Sequence, residues 1–316
     1  MVLRLFFWSS AVFLANVAWA QDYPNKPVHI ITAAPGGNVD LAARLIAQGL
    51  SGSLGQQVIV DNRGGIATVA ADLVAKASPD GYTLLFYGRD IWIFPFLKKD
   101  LDYDPVRDFA PITLAVSAPS ILVVHPSVPA KSVEELIALA KAKPGQLNYG
   151  SSGIGSSPYL AAELFKALAH VDIVHVPYKG ATTALPDLFA GHLQLMFNTV
   201  TTTGPYVKLG KLRALAVTSA EPSPLVPGLP TIAASGLPGY EAVAVFSMFA
   251  PAKTPPAIVS QLNEEIVRVL NRPEVKERFF STGTEVVGSS PAELSATIKS
   301  EMSKWGKIIN DAGIGR

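Results

Sequence analysis

Apolar and polar positions along this chain follow two rhythms that take turns. A short apolar run, Val28–Ala33, leads into the turn Pro35-Gly36-Gly37, after which Asp40–Leu50 carries apolar residues at helical spacing. The same order returns as strand Val58–Val60, turn Asn62-Arg63-Gly64-Gly65 and helix Thr68–Ala77. Pro79-Asp80-Gly81 then turns the chain into a third strand, Tyr82–Tyr87, ending at Gly88. A second series begins at Ile121–His125. Ser132 and Glu135 form a capping box for the helix Val133–Lys143, Pro144-Gly145 stops it, and Leu147–Tyr149 opens another strand. The loop Gly150–Ser157, helix Pro158–Leu168, strand Ile173–Val176, turn Tyr178-Lys179-Gly180 and helix Thr183–Ala190 follow. Leu193–Phe197 and Ala214–Thr218 are further strands, and Glu221–Gly239 is a Pro-rich loop. Glu241–Ala250 reads as one long strand, and Pro255–Asn271 and Pro291–Ile309 as two helices.

Strands alternating with helices at this spacing predict an α/β fold of parallel sheets built from strand–helix–strand units. The two series predict two halves, and the extended apolar runs Ala118–Val123 and Val243–Ala250 are the candidate crossings between them. With the C-terminal helices returning to the first half, residues 21–120 and 246–316 form one lobe and 121–245 the other, closing on a cleft.

The first twenty residues change the picture of where the protein works. Arg4, the apolar stretch Leu5–Val17 and the small-x-small triplet Ala18-Trp19-Ala20 read as a secretory signal peptide, cut before Gln21. An uncleaved anchor is the alternative, disfavoured by the shortness of the apolar core. No cysteine stands at the cut to carry a lipid, so the expected product is exported and free of a lipid anchor. Once Arg4 is gone, 25 basic residues balance 25 acidic ones, so no charge excess points to nucleic acid or an anionic membrane. The absence of cysteine removes thiol nucleophiles, disulfides, iron–sulfur clusters and the common structural zinc sites.

Recognisable catalytic sets are missing too. There is no P-loop and no Gly-x-Ser-x-Gly elbow, and Pro158 stands where a dinucleotide fingerprint following Gly153 and Gly155 needs its third glycine. His170 and His175, five apart, fall on opposite faces of a strand and read as strand-edge or surface residues rather than a metal pair. Asp100, Asp102 and Asp104 alternate as in a calcium loop but lack its glycine and distal glutamate, and read as solvated. No metal, cofactor or catalytic residue is expected.

What the chain does have is Gly- and Ser-rich turns that each open a helix: Pro35–Asp40, Gly64–Thr68 and Gly150–Ser156. A helix N-terminus leaves four backbone N–H groups unpaired and carries about half a positive charge, and glycine lets an anion approach it closely. Any strand–helix junction favours Gly and Ser, so one such turn is ordinary structure. Three, drawn from both halves, point to a carboxylate-binding cleft that needs no Arg or Lys.

At the same residues the chain resembles a known family. Tyr23-Pro24-x-Lys26-Pro27-Val28, Pro35-Gly36-Gly37-x-x-Asp40-x-x-Ala43-Arg44, Asp61-Asn62-Arg63 and Pro79-Asp80-Gly81-Tyr82-Thr83-Leu84-Leu85 are similar, in order, to the Bug family. These are the extracytoplasmic solute receptors of tripartite tricarboxylate transporters. Tyr103-Asp104-Pro105-x-x-Asp108-Phe109-x-Pro111-Ile112, Asn148–Ser156, Val176–Gly180, Gly210–Thr218 and Pro230–Tyr240 continue the match across essentially the whole mature chain.

The resemblance implies a type II periplasmic-binding-protein fold, two Rossmann-like α/β lobes around a central ligand cleft. It also implies a periplasmic, monomeric receptor that takes a small organic acid to the membrane subunits of a tripartite tricarboxylate transporter. Carried over by position, Gly36, Gly37 and Asp40 act from the first lobe and Ser151, Ser152, Gly155 and Ser156 from the second. Thr68, Tyr87, Arg89 and Asn198 complete the candidate set. Asp40 either caps its helix or meets the ligand, and Asn198 either faces the cleft or ends its strand. The chain departs from the family pattern in three places: the second turn has fewer glycines, Tyr159 replaces a frequent His, and Gly88-Arg89-Asp90 stands where small polar residues are usual. Arg89 either reaches a distal ligand carboxylate or pairs with Asp90 or Asp40 at the rim. A sensor subunit for a signalling kinase and an exported enzyme acting on a carboxylated substrate are the alternative functions.

Overall fold

A computed structural model describes residues 23–63, 67–178 and 180–311. The expected leader, Gly64–Ile66 of the second turn and Lys179 lie outside the described residues. The first series forms β1 (Val28–Thr32), α1 (Asn38–Leu54), β2 (Val58–Asn62), α2 (Ala67–Ala75), β3 (Thr83–Gly88), α3 (Asp90–Leu97) and β4 (Phe109–Ala118). The second forms β5 (Ser120–Val124), α4 (Val133–Ala142), β6 (Asn148–Ser151), α5 (Ser157–Ala169) and β7 (Val174–Pro177). It continues through α6 (Ala181–Phe189), β8 (Leu195–Thr199), α7 (Val200–Lys208) and β9 (Arg213–Val217). Last come β10 (Ala244–Pro251), α8 (Pro256–Leu270), α9 (Pro273–Ser281), β11 (Glu285–Val286) and α10 (Pro291–Asp311).

Two mixed sheets result, ordered β11-β4-β10-β3-β1-β2 and β7-β6-β8-β5-β9. Both obey one rule. The first strand of the unit lies between the second and the third, and beyond the third comes a strand that arrives from the other unit. That visiting strand, β10 in one sheet and β5 in the other, runs antiparallel to both neighbours. The parallel strands therefore send their carboxyl ends, and the helices that follow, to one edge of each sheet, the usual place for a ligand.

Helices cover both faces of the first sheet. Ala43, Ile46 and Leu50 of α1 pack with Leu262, Ile266 and Val269 of α8 over Leu84 and Phe86. On the other face, Trp92 of α3 and Trp305 of α10 belong to a core that continues into the second unit through Tyr149, Phe165, Phe197 and Tyr240. Each fully buried Leu, Ile or Phe contributes about 1.5–3 kcal/mol. The chain crosses between sheets at Pro119, and returns between β9 and β10. The crossings are tied at Thr218: its Oγ1 accepts from Ser120 N–H at 2.9 Å, its N–H donates to Ser120 O at 2.9 Å, and its carbonyl accepts from Ala242 N–H at 3.0 Å.

Where pattern and structure differ, the reasons are physical. Helix α3, Asp-Ile-Trp-Ile-Phe-Pro-Phe-Leu, has no helical periodicity because nearly every side is apolar, and it holds Pro95. Strand β4, buried along most of its length, lacks the alternation that marks a half-exposed strand. The long strand expected from Glu241 begins only at Ala244. His170 is not in a strand: it ends α5 in the left-handed region at φ 53°.

Candidate functional site

The carboxyl end of β1 opens into the turn that starts α1. Gly36 sits at φ +88°, which a side chain would strain, and an added β-carbon there would meet nothing within 4 Å, so its backbone is open to approach. Gly37 is the N-cap of α1, and no side chain bonds the first amides of this helix. Asp40 turns back onto the loop instead. Its Oδ2 accepts from Gly36 N–H at 3.0 Å, and its Oδ1 accepts from Asn62 Nδ2 at 2.7 Å and Arg44 Nε at 3.0 Å. Burial pushes the Asp40 carboxyl up, but the bonds from Gly36, Asn62 and Arg44 outweigh it and hold it below the usual carboxylate range. Both oxygens are thus spent on shaping the loop. Asn62 completes the tie by donating to Ala33 O at 2.6 Å and accepting from Arg44 Nη2 at 2.7 Å.

The second unit supplies the turn between β6 and α5. Ser151 is fully buried, and its Oγ accepts from Gly153 N–H at 3.1 Å. Ser156 caps α5, accepting from Tyr159 N–H at 3.4 Å while its hydroxyl donates to Gly153 O at 2.7 Å. Ser152 is half-buried at the turn's start, and Gly155 takes φ +83°. A β-carbon on Gly155 would stand 3.1 Å from Leu97 Cδ1 and 3.4 Å from Phe94 Cε1, so α3 of the first unit lies directly against this turn. Gly150 is opposite Met196 in the parallel register, so Asn198 stands one residue beyond the level of Ser151, toward the carboxyl ends of the strands. Asn198 is 2% exposed; its Oδ1 accepts from Thr199 N–H at 2.8 Å, while the buried Nδ2 has no partner among the described residues. The following helix, α7, is likewise uncapped by any side chain.

Three candidates have other surroundings. Thr68 is half-buried in the first turn of α2, beside the undescribed Gly64–Ile66. Tyr87 is buried, and burial, then Asp90, pushes its hydroxyl up to about 12. Arg89 pairs with neither Asp90 nor Asp40. It is 4% exposed, its Nη2 donates to Glu301 Oε1 at 2.6 Å, and its guanidinium lies 5.4 Å from the centre of the Trp305 ring. The other Glu301 oxygen accepts from Trp92 Nε1 at 2.8 Å.

One pairing escaped the sequence altogether. His175 does stand on an edge strand, β7, but its ring is not bare: it lies between the rings of Tyr149 and Tyr159 at 4.9 and 4.8 Å, and its Nε2 is 2.7 Å from Ser151 Oγ. Burial pushes its pKa down, with Glu163 opposing and Lys166 reinforcing the shift. The register of Tyr149 opposite His175 places it there, and no local motif announces that register. A Ser–His contact also occurs in hydrolases, but here the serine has no exposed surface and its hydroxyl closes a turn. Among the described residues no group of His, Asp or Glu is arranged to hold a metal ion, and no helix is long and apolar enough to cross a membrane. A recess of about 680 Å³ beside the crossings, lined by Glu221, Glu241, Glu285, Glu301 and Lys304 among others, includes none of the candidate residues.

Comparison with known proteins shows the family of the chain. The sequence model of the tripartite tricarboxylate transporter family receptor, TctC, matches residues 42–314. The chain is 39% identical over 290 residues to a UPF0065 protein in the tcbD-tcbE intergenic region of Pseudomonas sp. (strain P51), covering 91% of this chain and 86% of that one. It is 33% identical to protein BugT of Bordetella pertussis, over 97% of this chain and 95% of the relative. Among solved structures, R. palustris Rpa4515 with adipate is similar at TM-score 0.79 and 37% identity, covering 93% of this chain and 99% of that one. MatC (Rpa3494) from Rhodopseudomonas palustris with bound malate is similar at TM-score 0.76 and 31% identity, over 91% and 100%.

Proposed function

The chain belongs to the tripartite tricarboxylate transporter receptor family, and from that premise we propose that it is a periplasmic receptor for a small carboxylate. It captures the acid between its two α/β lobes, 21–120 with 246–316 and 121–245, and hands it unaltered to the membrane subunits of a transporter. The observation that carries the proposal is the pair of loops at the strand ends. Uncapped α1 behind Gly36-Gly37 and the Ser151–Ser156 turn before α5 offer backbone N–H groups and positive helix ends without a cationic side chain. Adipate and malate in the two structural relatives are acids that such loops suit.

The residues divide by role. Gly37, Ser152 and Gly155 present backbone to the ligand, Gly36 leaves the room for its approach, and Asn198 offers its unpaired Nδ2. Asp40, Ser151 and Ser156 hold those backbones in shape through the hydrogen bonds described. Thr68 and Tyr87 flank the first-lobe loops. Binding shifts an open-to-closed equilibrium, because ligand contacts from both lobes exist together only when the cleft is shut.

Isothermal titration of the monomeric mature protein, Gln21 to Arg316, against small mono- and dicarboxylates tests this. One acid bound per chain and recovered chemically unchanged is expected. At about 100 times its dissociation constant it adds about 2.7 kcal/mol to folded-state stability. Turnover of the acid, or no binding by any carboxylate to protein that native mass spectrometry shows to be empty, overturns the proposal.

A further inference from the structure

A titratable cluster stands against the Ser151–Ser156 turn, and acid capture as proposed above makes no use of it. Its centre is His175 on β7, the edge strand of the second sheet, where the half-buried ring can exchange a proton with water. The groups that face the ring are Tyr149 from β6 and Tyr159, Glu163 and Lys166 from α5. Glu163 is buried and already engaged: its Oε1 accepts from the Tyr149 hydroxyl and from Lys166 Nζ, each at 2.7 Å. With that carboxylate matched by Lys166, burial prevails and holds the ring neutral around pH 7.

The ring reaches the turn through one hydroxyl. His175 Nε2 is 2.7 Å from Ser151 Oγ, and that oxygen accepts from Gly153 N–H at 3.1 Å, so the imidazole is two hydrogen bonds from the backbone of the turn. Ser151 has no exposed surface, so this path runs through protein rather than solvent, where a charge is felt more strongly. A hydroxyl suits either form of the ring. It donates to Nε2 of the neutral imidazole; from an imidazolium it accepts, turning its own proton toward Gly153 O at 3.4 Å. Oγ accepts from Gly153 N–H in both forms, so protonation adds a positive charge beside the turn without undoing the turn.

We propose that His175 links acid capture to a proton. A carboxylate held by the backbone of the Ser151–Ser156 turn favours the imidazolium, and by reciprocity the imidazolium tightens the hold on the carboxylate. His175 is a positioning residue, acting through Ser151 rather than on the ligand itself. The proposal rests on the receptor reading above and adds a dependence on pH to it: the acid enters with a share of a proton, and affinity rises as the solution becomes more acidic.

Titration calorimetry of the mature protein with adipate and with malate, from pH 8 to pH 6 and in two buffers of different ionisation enthalpy, tests it. Affinity should rise at least about threefold over that range, and the buffer dependence of the heat should show a fraction of a proton taken up per acid bound near pH 6.5. His175→Gln, which can still bond Ser151 but does not titrate, should flatten the profile and abolish the uptake. His175→Phe, which keeps a ring between the tyrosines, replaces it should the first variant fail to fold. Titration of the acids themselves and of every other group is common to wild type and variant, so the difference belongs to His175. A flat wild-type profile, or a rise and an uptake that survive in the variants, overturns the coupling and leaves the receptor standing. Should neither acid bind, the tightest binder of the wider carboxylate series takes their place. Refusal of that whole series by empty protein overturns the receptor reading and the coupling together.

Discussion

Two carboxylates of the first lobe do different work because different groups face them. Asp40 is saturated by Gly36, Asn62 and Arg44, and Glu301 by Arg89 and Trp92. Asp40→Asn keeps the shape but removes the charge that three donors converge on. It should cost about 2 kcal/mol in urea unfolding, in the range for hydrogen bonds to a charged group, and should weaken acid binding by loosening the Gly36 turn. His175 makes a prediction about pH. Its folded pKa lies below the ordinary 6.5, so the unfolded chain takes up the proton first, and stability is lost as pH falls from 6.5 through the lower folded value. The stability difference between the wild type and His175→Gln, followed by thermal melts from pH 7.5 to 5, should shift against the wild type over that interval. Asp90 titrates nearby with the opposite sign but is common to both proteins, so the difference isolates the histidine.

At the scale of elements, the cleft depends on how turns meet helices of the other lobe. Gly155 combines φ +83° with close approach to Leu97 and Phe94. Gly155→Ala should cost about 1–2 kcal/mol from the left-handed backbone alone. Because the added methyl presses on α3, acid affinity measured by calorimetry should fall at least tenfold, with secondary structure unchanged. Much at this scale was legible in advance. The Ser132 cap is present, with Ser132 Oγ accepting from Glu135 N–H at 3.2 Å, and the turns at Gly36 and Ser151 sit at strand ends. Helix α3 was not legible, since a segment apolar on every side has no period to detect, and yet it is the element whose Phe94 and Leu97 meet Gly155 of the other lobe.

For the whole molecule, the hinge is the feature with mechanical consequence. Thr218 has no exposed surface and binds both crossing segments, so its hydroxyl holds Ser120 N–H where water cannot replace it. Thr218→Val keeps the volume but orphans that N–H, and should cost about 1–3 kcal/mol by chemical denaturation. A loosened hinge should also broaden the populations of open and closed forms seen by small-angle scattering with and without acid. The shared core through Trp92, Tyr149 and Tyr240 is what such loosening would strain.

The sequence by itself determined the alternating α/β plan, the helix-opening turns, the exclusion of cysteine chemistry and the family. These follow from local spacing and composition, which a chain carries wherever it folds. Tertiary structure alone decided which polar groups are spent and which are available. Arg89 meets Glu301 across 212 positions, Ser151 meets His175 across 24, and Asn62 reaches Asp40 across 22. Such partnerships depend on strand register and on how helices seat on a sheet, and neither is written in any local run of residues. A carboxylate is a loop tie at Asp40 and a clamp on Arg89 and Trp92 at Glu301 because packing, not residue type, sets what stands within hydrogen-bond reach.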